Sequence, residues 1–285
     1  MSGPFAEGGP PGWACPLDND DPAARIYHGC LATLYDPFSR RRTSDLFPID
    51  GLCGKRCLEV GAGVGARFAV WLAGQVGPTG HVVTVDLKPR DIPAHPRLEV
   101  REHDLARDGW SAGEKYDFIH ARLTLAHLPR RRDILTQLVG LLAPGGWILV
   151  EDWDTSRTDM ILHAPSLEAA EECVLIQETV SRIFAIAGTD RGWARRVHAA
   201  LLTEGLTDVH TIMYAESWTG GGPGAHLAGV TIDQLRPALL AAGLAERQLD
   251  RAQELLSDPS LVLAGHPLYS TAGRRPTDPT IHEGD

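Results

Sequence analysis

The sequence predicts an α/β fold in which helices cover both faces of a parallel sheet. Three observations carry that expectation. Short β-branched runs alternate with segments of helical period through the first 155 residues, and the first run ends in a glycine-rich turn, Gly61-Ala62-Gly63-Val64-Gly65, that opens a helix. The chain has 285 residues, 43% hydrophobic and 22% charged, which suits one large domain with a sizeable core.

Residues 1–22, rich in Gly, Pro and acidic side chains, read as a loose leader. A helix follows from Ala23, carried by Ile26, Cys30, Leu31 and Leu34, and breaks at Asp36-Pro37 before a second short helix through Phe38, Leu46 and Phe47. Arg56–Val60 is the first strand, and Phe68, Trp71 and Leu72 mark the helix after the glycines. Strands are expected at Val82–Val85, Leu98–Arg101, Tyr116–His120 and Trp147–Val150, with a helix through Ile134, Leu138 and Leu141 before the last of these. Ser166 can cap a long helix stopped at Gly188, and Asp190 can cap the next. Val209–Trp218 reads as a strand, Thr231 and Gln234 as a capping box opening a helix, Ala245–Leu256 as a further helix, and Pro267–Ala272 as the last strand. Residues 23–285 thus form a single domain: a helical cap over 23–50, a core over 51–154, a cap insertion over 155–190, and the C-terminal part of the sheet and its helices over 191–285.

The net charge of −10 argues against a nucleic-acid partner, which calls for a basic face; Arg40-Arg41-Arg42 is a local exception. Five cysteines, without a second pair at zinc-site spacing, fit neither a disulfide scaffold nor a structural zinc. Residues 1–22 carry no basic and apolar signal pattern, and no apolar run approaches the ~20 residues that span a bilayer. The expectation is an intracellular, cytoplasmic protein without a membrane partner, and a homodimer stays open.

Glycines between a strand and a helix let a ligand approach the backbone where a Cβ would clash. Asp86, at the end of the second strand, suits a bond to both hydroxyls of a ribose. Gly61, Gly63 and Ala66 also satisfy G-x-G-x-x-A, with Asp86 20 residues beyond Ala66, so the turn by itself leaves a dinucleotide open. Glu59 stands two residues before Gly61. A carboxylate there favours a cationic ligand group and is a poor neighbour for a pyrophosphate.

Leu58-Glu59-Val60-Gly61-Ala62-Gly63-Val64-Gly65 resembles motif I of the class I S-adenosylmethionine (SAM)-dependent methyltransferases. The likeness continues in order through Val83-Thr84-Val85-Asp86, His103-Asp104-Leu105, Tyr116–Arg122 and Leu142-Ala143-Pro144-Gly145-Gly146-Trp147, covering about residues 50–155. It implies a Rossmann-like, seven-stranded, mostly parallel sheet with an N-terminal and a post-strand-five helical cap. It also implies SAM as cofactor and S-adenosylhomocysteine (SAH) as product. Glu59 would then attract the amine, and Gly61, Ala62 and Gly63 would line the methionine part. Asp86 and Leu87 would hold the ribose, and His103, Asp104 and Leu105 the adenine side. Ala121 and Arg122 would lie beside the methionine, and Arg40 would reach its carboxylate. More loosely, Tyr35-Asp36-Pro37 and Gly273-Arg274-Arg275-Pro276 look like the small-molecule branch of actinobacterial natural-product pathways.

Methyl transfer is an in-line displacement in which the enzyme chiefly positions the reactants, with a base needed only for a nucleophile that carries an acidic proton. His127, after strand four, and Asp152, after strand five, are the catalytic candidates. Asp152, Asp154 and His163 lack metal-site spacing, and no metal is expected. Tyr27, Tyr35, Trp153, His163, Ile176, Val180, Phe184 and Trp218 are candidate walls for an aromatic or apolar small-molecule acceptor, indoles included. Whether O, N or C is methylated stays open. So do two rivals: an NAD-dependent oxidoreductase using the same turn, and a SAM-binding sensor without catalysis.

Overall fold

The structure is a computed structural model and describes residues 16–110, 113–157 and 159–277. Residues 1–15 of the expected leader lie outside the described residues. Seven strands form one sheet in the order β3-β2-β1-β4-β5-β10-β7. These are β1 (Arg56–Val60), β2 (His81–Asp86), β3 (Leu98–Glu102), β4 (Tyr116–Arg122), β5 (Leu142–Trp153), β7 (Thr207–Tyr214) and β10 (Leu268–Arg274). The first five are parallel, and β10 runs antiparallel to β5 and β7. Strand order reverses direction between β1 and β4, and a doubly wound sheet binds ligands at that switch point, outside the strands' carboxyl ends.

Both faces are buried, which is why β1 and β2 read as continuous apolar runs rather than alternating ones. On one face Leu58, Val60, Ile119 and Ile148 pack against α3 (Arg131–Gly140) and α5 (Val197–Thr203). On the other, Cys57, Val82, Phe118 and Leu149 meet Phe68 and Leu72 of α2 (Arg67–Gln75) and Leu46 of α1 (Ala24–Leu46). A third apolar cluster builds the cap from α1, α4 (Leu167–Ile186), α6 (Pro223–Ala241) and α7 (Glu246–Ser257). A small antiparallel sheet, β6-β9-β8 (Ile161–His163, Val262–Ala264, Ser217–Thr219), ties these helices together. Among the described residues, no helix is long and apolar enough to cross a membrane.

Four local expectations are corrected. Pro37 does not break α1, which runs unbroken from Ala24 to Leu46. Its buried residues on both sides of the proline, Tyr35, Asp36, Ser39 and Arg42, are held by sheet and cap, and tertiary packing outweighs the lost backbone bond. Thr231 is interior to α6, its hydroxyl donating to the Leu227 carbonyl at 2.9 Å. The helix starts instead at Pro223, where the fixed φ of proline suits a first turn. The run 209–218 splits, β7 joining the main sheet and β8 the small one. The insertion after β5 carries a strand, β6, as well as the Ser166-capped helix, whose Ser166 Oγ accepts from the Ala169 amide at 3.1 Å.

The turn after β1 has φ of 73° at Gly61 and 64° at Gly63. A Cβ at Gly61 would collide with the Thr124 side chain, and one at Gly63 with the His28 ring. Gly61→Ala should therefore destabilise the protein by about 1–3 kcal/mol in urea unfolding, and Thr124→Ala in the same chain should recover part of that loss. Additive losses in the double variant would show that Thr124 is not what requires the glycine.

Candidate functional site

One cavity of about 490 Å³ lies at the carboxyl edge of β1, β2 and β4 and extends under the cap. Its first half is charged. Glu59, Gly61, Ala62 and Gly63 contribute from the β1 turn, Asp86 and Leu87 from the end of β2, and His103, Asp104 and Leu105 from the end of β3. Arg122 ends β4 and His127 follows it. Tyr27, Trp153, Ile176, Val180, Phe184 and Trp218 line the second half. Most of the residues singled out in the sequence thus share one wall.

Five do not. Asp152 is 1% exposed and lies behind the cavity wall, under the turn 124–127. The amides of Thr124 and Ala126 face its carboxylate without reaching hydrogen-bond geometry, and burial pushes its pKa up to about 8. Ala121 points into the sheet core. Tyr35 is buried beside the cavity and accepts from Trp153 Nε1 at 3.0 Å. Arg40 lies on the outer side of α1, over the Trp71 ring at 5.5 Å, and pairs with Asp36 at 3.2 Å. His163 is on β6 and donates from Nδ1 to the Ser260 carbonyl at 2.6 Å.

Beneath the cavity runs a buried polar chain. His120 is adjacent to Glu59 across the β1–β4 ladder. Its Nδ1–H donates to Glu59 Oε2 at 2.7 Å and its Nε2–H to Glu151 Oε2 at 3.2 Å. Ser39 Oγ also donates to Glu151 Oε2. Arg122 donates to Ser39 Oγ at 2.9 Å and to Asp36 Oδ1 at 2.7 Å. Burial alone would push the imidazole down, but the two carboxylates outweigh it and raise His120 to about 9. Burial raises Glu59 against the pull of His120 and Arg122, whereas His120, Arg122 and Ser39 overcome the burial of Glu151 and lower it.

The cavity mouth is crossed by residues 17–20. Asn19 Nδ2 donates to Asp86 Oδ1 at 3.3 Å, and Asn19 Oδ1 accepts from His28 Nε2–H at 3.0 Å. Asp86 also accepts from the amides of Gly63 at 2.8 Å and Lys88 at 2.9 Å. Asp18 and Asp20 pair with Lys88 at 2.7 and 2.8 Å, and Asp20 with Arg90 at 2.7 Å.

A family model described as a methyltransferase domain matches residues 32–249. The chain belongs to the methyltransferase-domain family. It is 32% identical over 127 residues to methyltransferase str2 of Strobilurus tenacellus, across 44% of this chain and 45% of that one. With methyltransferase str3 of the same organism it shares 35% over 112 residues, across 38% and 39% of the two chains. The aligned stretch is thus less than half the length of these curated relatives. Among solved structures, a cyclopropane-fatty-acyl-phospholipid synthase-like protein from Lactobacillus casei superposes with a TM-score of 0.53 at 17% identity, over 89% of this chain and 94% of that one. That likeness is one of fold.

Sequence patterns did not single out several residues that line this methyltransferase cavity: Asn19, His28, Thr124, Gln177, Ser181 and His266. Gln177 and Ser181 carry a signal, since they stand beside Ile176, Val180 and Phe184 at helical spacing on α4. Asn19, His28 and His266 carry none, because only the folded chain brings them to the sheet edge.

The folded-state pKa of His120, about 9, lies above its ordinary value of 6.5. Its contribution to stability is therefore complete below pH 6.5 and is lost as pH rises through about 9. His120→Gln should cost about 3–5 kcal/mol at pH 6, because it strands two buried carboxylates. The gap between wild type and variant in urea unfolding should narrow as pH rises over this window. A gap that stays constant from pH 6 to 10 would show that His120 is not charged in the folded protein.

Proposed function

We propose that this chain is a methyltransferase that carries a methyl group from SAM to an aromatic or apolar small molecule, a specialised metabolite, releasing SAH. One observation carries the reading: a single cavity joins the glycine turn and its acids to an aromatic cap. The donor set fits SAM. Of the four carboxylates among the described residues that line the cavity, Asp18 is paired with Lys88, and Glu59, Asp86 and Asp104 match an ammonium, a ribose diol and an adenine amine. His103 Nε2 is buried there without a partner among the described residues, its ring 4.5 Å from that of Trp110. When bound, SAM supplies an electrophilic methyl group on a sulfonium.

The chain's residues bind, orient and exclude water. Glu59, fixed through one oxygen by His120, keeps the other for the ammonium. Asp86 holds the ribose, and the 17–20 segment covers it. Trp153, Phe184 and Trp218 shield the acceptor side. His127 bonds through Nδ1 to Thr189 Oγ1 at 3.0 Å, and burial with nearby Arg131 pushes its pKa down to about 4. In the tautomer that donates Nδ1–H to Thr189, Nε2 is an acceptor but a weak base, mismatched to a phenol of pKa near 10. We assign His127 the orientation of the acceptor, and Asp152 the support of the 124–127 turn from behind. Such a site suits an electron-rich carbon, such as an indole carbon, or a nucleophile that needs little help from a base.

Calorimetry tests the cofactor. SAH should bind and NADH should not, and Asp86→Ala should weaken SAH by roughly 10- to 200-fold, the loss of ~1.5–3 kcal/mol of charge-assisted bonding. NADH binding without SAH binding would overturn the reading, and SAH binding with no methylated product from any metabolite pool would favour a sensor.

The acceptor-side roles are tested by single-turnover rates once an acceptor is found. His127→Ala should raise the acceptor KM and slow transfer by less than the ~10²–10⁴ typical of a lost general base. Asp152→Asn should stay near wild type. A loss of 10² or more for Asp152→Asn would give that carboxyl a direct part in the chemistry.

A further inference from the structure

The cavity is divided by charge. The acids and most of the cations that line it come from the β1 turn, the ends of β2, β3 and β4, the start of α2 and segment 17–20. The cap half is walled by Trp153, Trp218 and apolar residues of α4, α6 and β9. Among the described residues its one lining ion, Arg157, is exposed and bound to Asp159 at 2.7 Å. Yet this half is not inert. Gln177 Oε1, Ser181 Oγ, Gln234 Oε1 and His266 Nδ1 are buried, without a partner among the described residues. Each of these residues lines the cavity. Gln177 and Ser181 stand one turn apart on α4. The His266 ring lies 5.2 Å from Trp153 and 5.9 Å from Trp218, edge-on to the latter at 89°.

We propose that the acceptor is an uncharged aromatic molecule bearing hydrogen-bonding substituents, seated against the Trp153–Trp218 wall, whose rings pack on each other at 6.4 Å, and bonded by His266, Gln177 and Ser181. This rests on the methyltransferase reading and narrows its substrate. Buried polar atoms without partners are costly, and a ligand that completes them recovers that cost. Carboxamide, hydroxyl and imidazole side chains can complete a phenol, a ring N–H or an amide, since each offers a lone pair or a proton without net charge. Burial pushes His266 down to about 4, so it is neutral and supplies no cation for a carboxylate. Asp154, whose charge is felt at His266, is paired with Arg195 at 3.2 Å and does not line the cavity. A carboxylate or ammonium on the acceptor would be stripped of water with no buried counter-ion among the described residues of this half to meet it, Arg157 being exposed and paired.

The test is calorimetric titration of the full chain, saturated with SAH, with four probes: 1-naphthol, 1,5-dihydroxynaphthalene, 1-hydroxy-2-naphthoate and 1-naphthylmethylammonium. The neutral diol should bind best, and the two ions at least about 10²-fold more weakly. His266→Phe and Gln177→Leu should each weaken the diol by roughly 3- to 10-fold and 1-naphthol by less, with SAH affinity unchanged. Using two variants on different elements keeps the test standing if one fails to fold. Binding of either ion within about tenfold of the diol overturns the proposal, as does failure of the diol to bind a chain that holds SAH. Failure to bind SAH itself strikes at the methyltransferase reading instead.

Discussion

An imidazole held between two carboxylates in the middle of the sheet sets the terms for much of this protein. His120 joins β1 to β5 through Glu59 and Glu151, with β4 between them. Ser39, Arg122 and Asp36 then extend the chain of bonds to α1. Each of these groups would be expensive to bury alone, and each is tolerated because the next is present. The outcome is geometric. The helix that roofs the cavity is tied by ions to the strands that floor it, so floor and roof keep one spacing.

That tie also explains how an uncharged cap can sit beside a charged cradle. Polar satisfaction under the glycine turn comes from the sheet and α1, and α4, α6 and α7 need supply no ions to it. They are free to present Phe, Ile and Val to the remaining space beside the Trp side chains of β5 and β8, with carboxamides and a hydroxyl among them. On the proposed function, specificity and cofactor binding would rest on separate elements, and loops or helices at a sheet edge can change while the strands stay fixed.

The core of the fold was legible because its signals are local. Glycines between a buried strand and a helix, an acid ending β2 and a Pro-Gly-Gly near the start of β5 each constrain the backbone where they stand. The run through Pro37 misled because helix continuity there depends on Asp36, Ser39 and Arg42 being held by distant partners. Thr231 misled because a capping pattern says nothing about whether a helix has already begun. At the site, Glu59 and Asp86 were readable from strand position. The role of His120 as the neighbour of Glu59 depends on cross-strand register, and Asp152 differs from Trp153 only by which way one residue of β5 points. Those are properties of the assembled sheet.

The placement of β10 bears on how the chain is made. This strand lies between β5 and β7, yet it follows both in the chain. While the ribosome is still adding residues before Leu268, β5 and β7 have no strand between them and each leaves an edge open. Unpaired edges are templates for pairing with other chains. Strand edges of the nascent protein thus stay open until late in synthesis, and shielding of open strands has something to offer it up to that stage.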